Sequence, residues 1–270
     1  MVVKKKGSAD IFTLKSDTQL KSVLKEVTHV YHGGACCETD GVGFALPDNR
    51  SITEIVVDAT NGFIPLWDSN VTLNWRFQEA SLRQFADPDA VKSYLRTLFG
   101  ETLIKWGKAV PIKFSETSEP WDFEFVVKSQ DNCSSLGCTL ARAFFPDAGQ
   151  HELVLFPKMF EQVRKEQIET LAHELGHVFG LRHFFAKVSE TGSASEIFGT
   201  HDPLSIMNYG PQSVLTTTDI DDLARLYQQA WSGSLTEING TPIRLMQPFS
   251  HFRQKPQMPP QFSLAARTII

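Results

Sequence analysis

Leu171-Ala172-His173-Glu174-Leu175-Gly176-His177-Val178-Phe179-Gly180-Leu181-Arg182-His183 is the stretch on which the reading of this chain turns. His173 and His177 are four residues apart. On a helix they stand one turn apart on one face and can share one metal ion. Glu174 follows the first of them, close enough to reach a water at the metal without being a ligand. Gly180 can take a backbone conformation closed to other residues, which lets the chain leave the helix and turn back. His183 then approaches from a different direction as a third ligand. Three neutral imidazoles leave one coordination position open, as a catalytic zinc requires. Five fixed positions of this kind match a chain of such length by chance on the order of once in ten thousand.

Around this stretch the sequence alternates between strand and helix patterns. Val71-Thr72-Leu73-Asn74-Trp75-Arg76-Phe77 predicts a strand. Asp87-Pro88 joins an N-cap to a proline at the first helical position. Val91, Tyr94, Leu95, Leu98, Phe99, Leu103 and Trp106 follow at helical spacing, so a long helix is expected to about Gly107. Ile112 to Phe114, the alternating Asp122 to Val127, Leu140 to Phe144 and Leu153 to Phe156 predict four more strands. The ligand helix is expected from about Lys165 to Gly180. Thr218, with Asp221 at its third position, predicts the cap of a last helix whose apolar face is Ile220, Leu223, Leu226 and Tyr227. Upstream, Asp17 to His29 predicts a short amphipathic helix, Tyr31 to Gly43 a Gly-rich loop, and Ile55-Val56-Val57 an isolated strand.

A second motif, Ser205-Ile206-Met207-Asn208-Tyr209-Gly210, follows the ligand stretch after a loop. A ligand helix, a Gly, a third His and a downstream Met turn together resemble the metzincin clan of zinc endopeptidases. The element order is similar to the upper subdomain of a matrixin or astacin catalytic domain. The resemblance implies an α+β zincin-like domain. It would have a twisted, mostly parallel sheet with two long helices, a zinc cleft, and a small lower subdomain carrying the Met turn and a terminal helix. On this basis 65–233 is the expected catalytic domain, 1–64 an N-terminal extension (a pro-segment or packing arm) and 234–270 a Pro-containing tail.

The implied activity is zinc-dependent hydrolysis of peptide bonds in a protein or peptide substrate. His173, His177 and His183 would hold one zinc, Glu174 would be the general base, and Met207 would form the floor of the site. Thr139 to Pro146 is similar to the matrixin edge strand that pairs with substrate backbone, which assigns that role to Leu140, Ala141, Arg142 and Ala143. Arg142 stands where matrixins have a His for a second, structural zinc, so only one zinc is expected. Calcium is left open. Ser-x-Met-x-Tyr is the form of the Met turn in astacins and serralysins. It implies that Tyr209 ligates zinc at rest and holds the oxyanion during catalysis; the alternative is a packed core tyrosine. Phe184 is not the Glu of astacins, the Ser of matrixins or the Pro of serralysins, so the branch is unassigned. Glu169 falls where matrixins line the primed-side pocket; a solvated helix position is the other reading.

Composition narrows the remaining possibilities. The 270 residues carry a net charge of −5, which gives no reason to expect nucleic acid as a partner. No apolar run approaches a membrane span. The first thirty residues hold no continuous apolar block, so no signal peptide is expected in the chain as written. The protein then stays in the cell, leaves by another route, or is cut before this numbering begins. Cys133 and Cys138 flank a short loop and can bridge if oxidised. The vicinal Cys36 and Cys37 are either free or buried thiols or a latency device, although the matrixin latency pattern is otherwise missing around them. Two further functional classes stay open: a catalytically silent zinc-binding interaction protein on the same fold, and a peptidase trimming short peptides from one end. Oligomeric state is not legible.

Overall fold

The structure is a computed structural model and describes residues 11–12, 55–59, 61–134, 137–183, 195–198, 205–207 and 213–253. The readings at Asp17 to His29, Tyr31 to Gly43, Cys36, Cys37, Phe184 and Tyr209 lie outside the described residues. Strands β1 (Ile55–Asp58), β2 (Ile64–Trp67) and β3 (Thr72–Phe77) lead through a short helix α1 (Glu79–Leu82) to the long helix α2 (Pro88–Trp106). Next come β4 (Lys113–Glu116), β5 (Phe123–Val127), the hairpin of β6 (Asn132–Ser134) and β7 (Gly137–Thr139), β8 (Ala141–Arg142) and β9 (His151–Leu155). Helices α3 (Pro157–Glu161) and α4 (Arg164–Val178) follow, then β10 (Leu181–Arg182) and β11 (Ser195–Phe198). The chain continues through α5 (Thr217–Trp231), β12 (Glu237–Ile238), β13 (Thr241–Met246) and α6 (Phe249–Arg253). This is a mixed α+β fold.

The main sheet has the order β4-β3-β5-β9-β8. All its pairings are parallel except the edge pair β8–β9. β5 corrects the alternation read from its sequence, because all five of its residues are buried. It is the central strand, covered on both faces, as strands of parallel sheets usually are. Its one charged residue, Glu124, is paired: Arg76 Nε donates to its carboxylate at 2.8 Å and Gln78 Nε2 at 3.2 Å. β8 is shorter than the expected Leu140–Phe144 strand, since the chain sinks into the core at Ala143 and Phe144. The β6–β7 hairpin is closed by a Cys133–Cys138 disulfide.

Helix α2 begins as its sequence dictates. The Asp87 carboxylate accepts the Ala90 N–H at 3.0 Å, and Pro88 occupies the first turn. Its apolar face, including Val91, Leu95, Leu98 and Trp106, is buried in the main core. Two side-chain bonds lay α4 along it: Tyr94 Oη to Gln167 Oε1 at 2.6 Å, and Trp106 Nε1 to the Ala172 carbonyl at 3.0 Å.

Strands before and after the main sheet are paired into the fold. β1 is not isolated, as its sequence suggested. It pairs antiparallel with β10, with Val56 opposite Arg182 and Val57 opposite Leu181, and on its other edge with β11. β13 pairs in parallel with β2. α6 is then pinned by Ser250, whose N–H and Oγ–H donate to the buried Asp122 carboxylate at 2.6 and 2.9 Å. Burial pushes the Asp122 carboxyl above its usual range, despite the donors from Ser250 and Asn74 and the nearby His151 that favour its charged form. The cap of α5 is Thr216 rather than Thr218. Thr216 Oγ1 accepts the Asp219 N–H at 3.1 Å, and Asp219 accepts the Thr216 N–H at 2.9 Å. The register shifts because Asp219, not Asp221, is the carboxylate drawn into the core. No helix among the described residues is long and apolar enough to cross a membrane.

Candidate metal centre

Helix α4 carries His173 and His177 on one face, and the chain must then reverse within a few residues to bring in a third ligand. Gly180 makes the reversal at φ +90°, a region that disfavours any side chain. Space is tight as well: a Cβ there would lie 3.0 Å from the Pro65 carbonyl oxygen. The Gly180 N–H donates to the His177 carbonyl at 2.8 Å, and its own carbonyl accepts the Asp58 N–H at 3.0 Å. β10 follows directly and delivers His183.

The ligand atoms of His173, His177 and His183 lie within 4.8 Å of one another, an arrangement that can hold a metal ion. His183 Nε2 is 2.9 Å from His173 Nε2 and 3.2 Å from His177 Nε2. Two imidazole nitrogens bound to one tetrahedral zinc at about 2.0–2.1 Å stand roughly 3.3 Å apart, so the spacing suits zinc. The tautomers follow from the other ring nitrogens. His173 Nδ1 is 2.7 Å from the Ile206 carbonyl and His177 Nδ1 is 2.7 Å from the Leu181 carbonyl. A carbonyl only accepts, so each Nδ1 carries the proton and each Nε2 presents a lone pair. A single Nε2–H on His183 can point along only one of the two short vectors. A cation at the centre would meet all three Nε2 atoms at once.

Several buried groups hold this geometry. The Trp67 indole donates to the Val178 carbonyl at 2.7 Å and the Tyr227 hydroxyl to the Phe179 carbonyl at 3.0 Å, so the orphan carbonyls at the end of α4 are met. Complete burial pushes the Tyr227 hydroxyl well above the usual phenol range. Met207 is buried, and its sulfur lies against Gly176, where any Cβ would collide with it. The Asp219 carboxylate accepts from Ser205 Oγ at 2.6 Å and from the Ile206 N–H at 3.1 Å. Asp219 thus fixes the residue whose carbonyl orients His173.

Other residues singled out in the sequence fall as follows. Glu174 sits on α4 between the two helical histidines and is 2% exposed. Ala141 and Arg142 form the edge strand β8, with Leu140 and Ala143 flanking it, and the Leu140 carbonyl accepts the Phe156 N–H at 3.0 Å. Arg142 faces Glu152 at 3.9 Å. Glu169 is neither solvated nor free to line a pocket. It forms an ion pair with Lys105 and accepts the Leu215 N–H at 3.2 Å, because α2 and the lead into α5 close over that position. Gly176, Asp219 and Arg182 were not anticipated from sequence. For Gly176 a signal existed, since a glycine inside a helix usually marks close packing.

No protein family matches the chain by sequence, and no curated protein does. Among solved structures, it is similar to one of myroilysin at 14% identity and a TM-score of 0.43, with 64% of this chain and 98% of that chain covered. A second myroilysin structure matches at 15% identity and a TM-score of 0.41, covering 60% and 85% of the two chains.

Proposed function

We propose that this protein is a zinc-dependent endopeptidase of the metzincin clan. The observation that carries the reading is the convergence of three imidazole Nε2 atoms, two of them fixed as lone-pair donors by Nδ1–H bonds to backbone carbonyls. His173, His177 and His183 are the proposed ligands. Zinc in such a donor set supplies Lewis acidity and a nucleophilic water near neutral pH. Glu174, one residue from the first ligand, is the proposed general base; it takes a proton from the attacking water and returns it to the leaving amine. β8 stands at the end of the strand order of the main sheet among the described residues, and an extended peptide would add there as a further strand through Leu140 to Ala143. Met207 is the proposed floor of the site and Tyr209 the proposed oxyanion partner.

The test is zinc content together with cleavage of an unfolded protein. Glu174→Ala is expected to keep one zinc per chain while cleavage falls by about 10²–10⁴-fold. Wild-type protein that holds zinc yet cleaves nothing, before or after limited proteolysis, would favour a silent zinc-binding protein.

A further inference from the structure

Arg182 is the one residue between Leu181, whose carbonyl orients His177, and His183. Its side chain is fully buried, and Asp58 beside it is 3% exposed. Arg182 Nη1 donates to Asp58 Oδ1 at 3.3 Å. The guanidinium also stands over the Phe145 ring, 5.5 Å from its centroid, and the same ring meets His177 edge-on at 5.5 Å. Arg182 therefore bears on the metal site by two routes: along the backbone to His183, and through Phe145 to His177. Asp58 grips the same loop a second time by donating its N–H to the Gly180 carbonyl. A buried guanidinium is costly unless hydrogen-bonded partners hold it in place.

We infer that Asp58 is a positioning residue of the metal centre. By holding the Arg182 guanidinium, it sets the loop geometry, and through it the affinity, with which His173, His177 and His183 take zinc. Strand β1, from the N-terminal part of the chain, then belongs to the metal site. This rests on the zinc reading above.

The experiment compares wild type with Asp58→Asn by chelator competition for zinc and by the visible bands of the cobalt-substituted protein. Band positions report ligand geometry, which a mere loss of folded population does not alter. Asp58→Asn is expected to raise the zinc Kd about 10–100-fold and to shift the cobalt bands, as losses of outer partners of ligating histidines do. A Kd within about threefold of wild type, or a weaker Kd with unchanged bands, overturns the inference. Wild type that takes up no zinc at all would sink the zinc reading instead. If Asp58→Asn does not fold, Arg182→Lys, which keeps the charge and loses the planar fork, carries the same comparison with the same two outcomes.

Discussion

Behind His173, the turn that carries Met207 is fastened by Asp219. Its oxygens collect hydrogens from Ser205 Oγ, the Ile206 N–H, the Thr216 N–H and Thr216 Oγ1, all within 3.1 Å. Behind His183, the loop is fastened by Asp58, and the side chain it meets there is a guanidinium. Both carboxylates are buried, and both stand one step removed from a histidine of the cluster. The first lies among neutral donors and doubles as a helix cap, so its role is divided among several bonds of ordinary strength. The second is half of a buried ion pair, so removing either charge weakens the footing of the other. The two regions should therefore fail differently.

The largest effect expected is at the ion pair. Asp58→Ala takes the Asp58 carboxylate from the buried Arg182 and should cost about 3–5 kcal/mol in urea unfolding, whereas an apolar replacement of both residues together should recover most of that loss. A double variant as unstable as the single one would mean the charges are not what matters. Asp219→Ala comes next, at about 1–3 kcal/mol, since it strands several donors at once. No single compensating substitution should repair it, and one that did would erase the contrast. The smallest effect concerns Asp122, also held mainly by neutral donors but remote from the histidines in its bonding. Its carboxyl is raised by burial from an ordinary 3.8, so the folded state binds the proton more tightly than the unfolded chain. The stability linked to that proton is complete below about pH 3.8 and is lost as pH rises through the raised value. Asp122→Asn cannot ionise. Its urea midpoint should therefore gain on that of wild type as pH rises above the ordinary 3.8 and through the raised value, and a constant gap would show that the raised carboxyl has no bearing on stability.

What could be read from sequence was what is local. Asp87, Pro88 and the spacing from Val91 to Trp106 contain the whole of α2 within a single segment. The ligand helix was read to within a residue at its start, and its exit at Gly180 was legible because only glycine suits that φ. The pairings between distant segments were not. Nothing in Ile55-Val56-Val57 announces that its partner is Leu181-Arg182, since a short apolar strand carries no address. Thr216, Thr217 and Thr218 are interchangeable as caps until the tertiary structure selects the carboxylate that bonds the Met207 turn. Glu169 read as a surface residue because Lys105 is distant in sequence.

The β2–β13 pairing bears on when this protein can finish folding. Asp68 and Gln247 extend that ladder with a side-chain bond between residues 179 apart, and the Asp68 N–H reaches the Met246 carbonyl at 3.0 Å. Strand β2 ends in Trp67, the residue whose indole closes the ligand helix. During synthesis the β2 edge must wait for residues 241–246 to emerge before it is paired, and contacts so distant in sequence form slowly. The nascent chain thus has its histidines long before it has their complete surroundings. β13, the last strand among the described residues, is one on which β2 and the strand-to-helix bond of Trp67 depend.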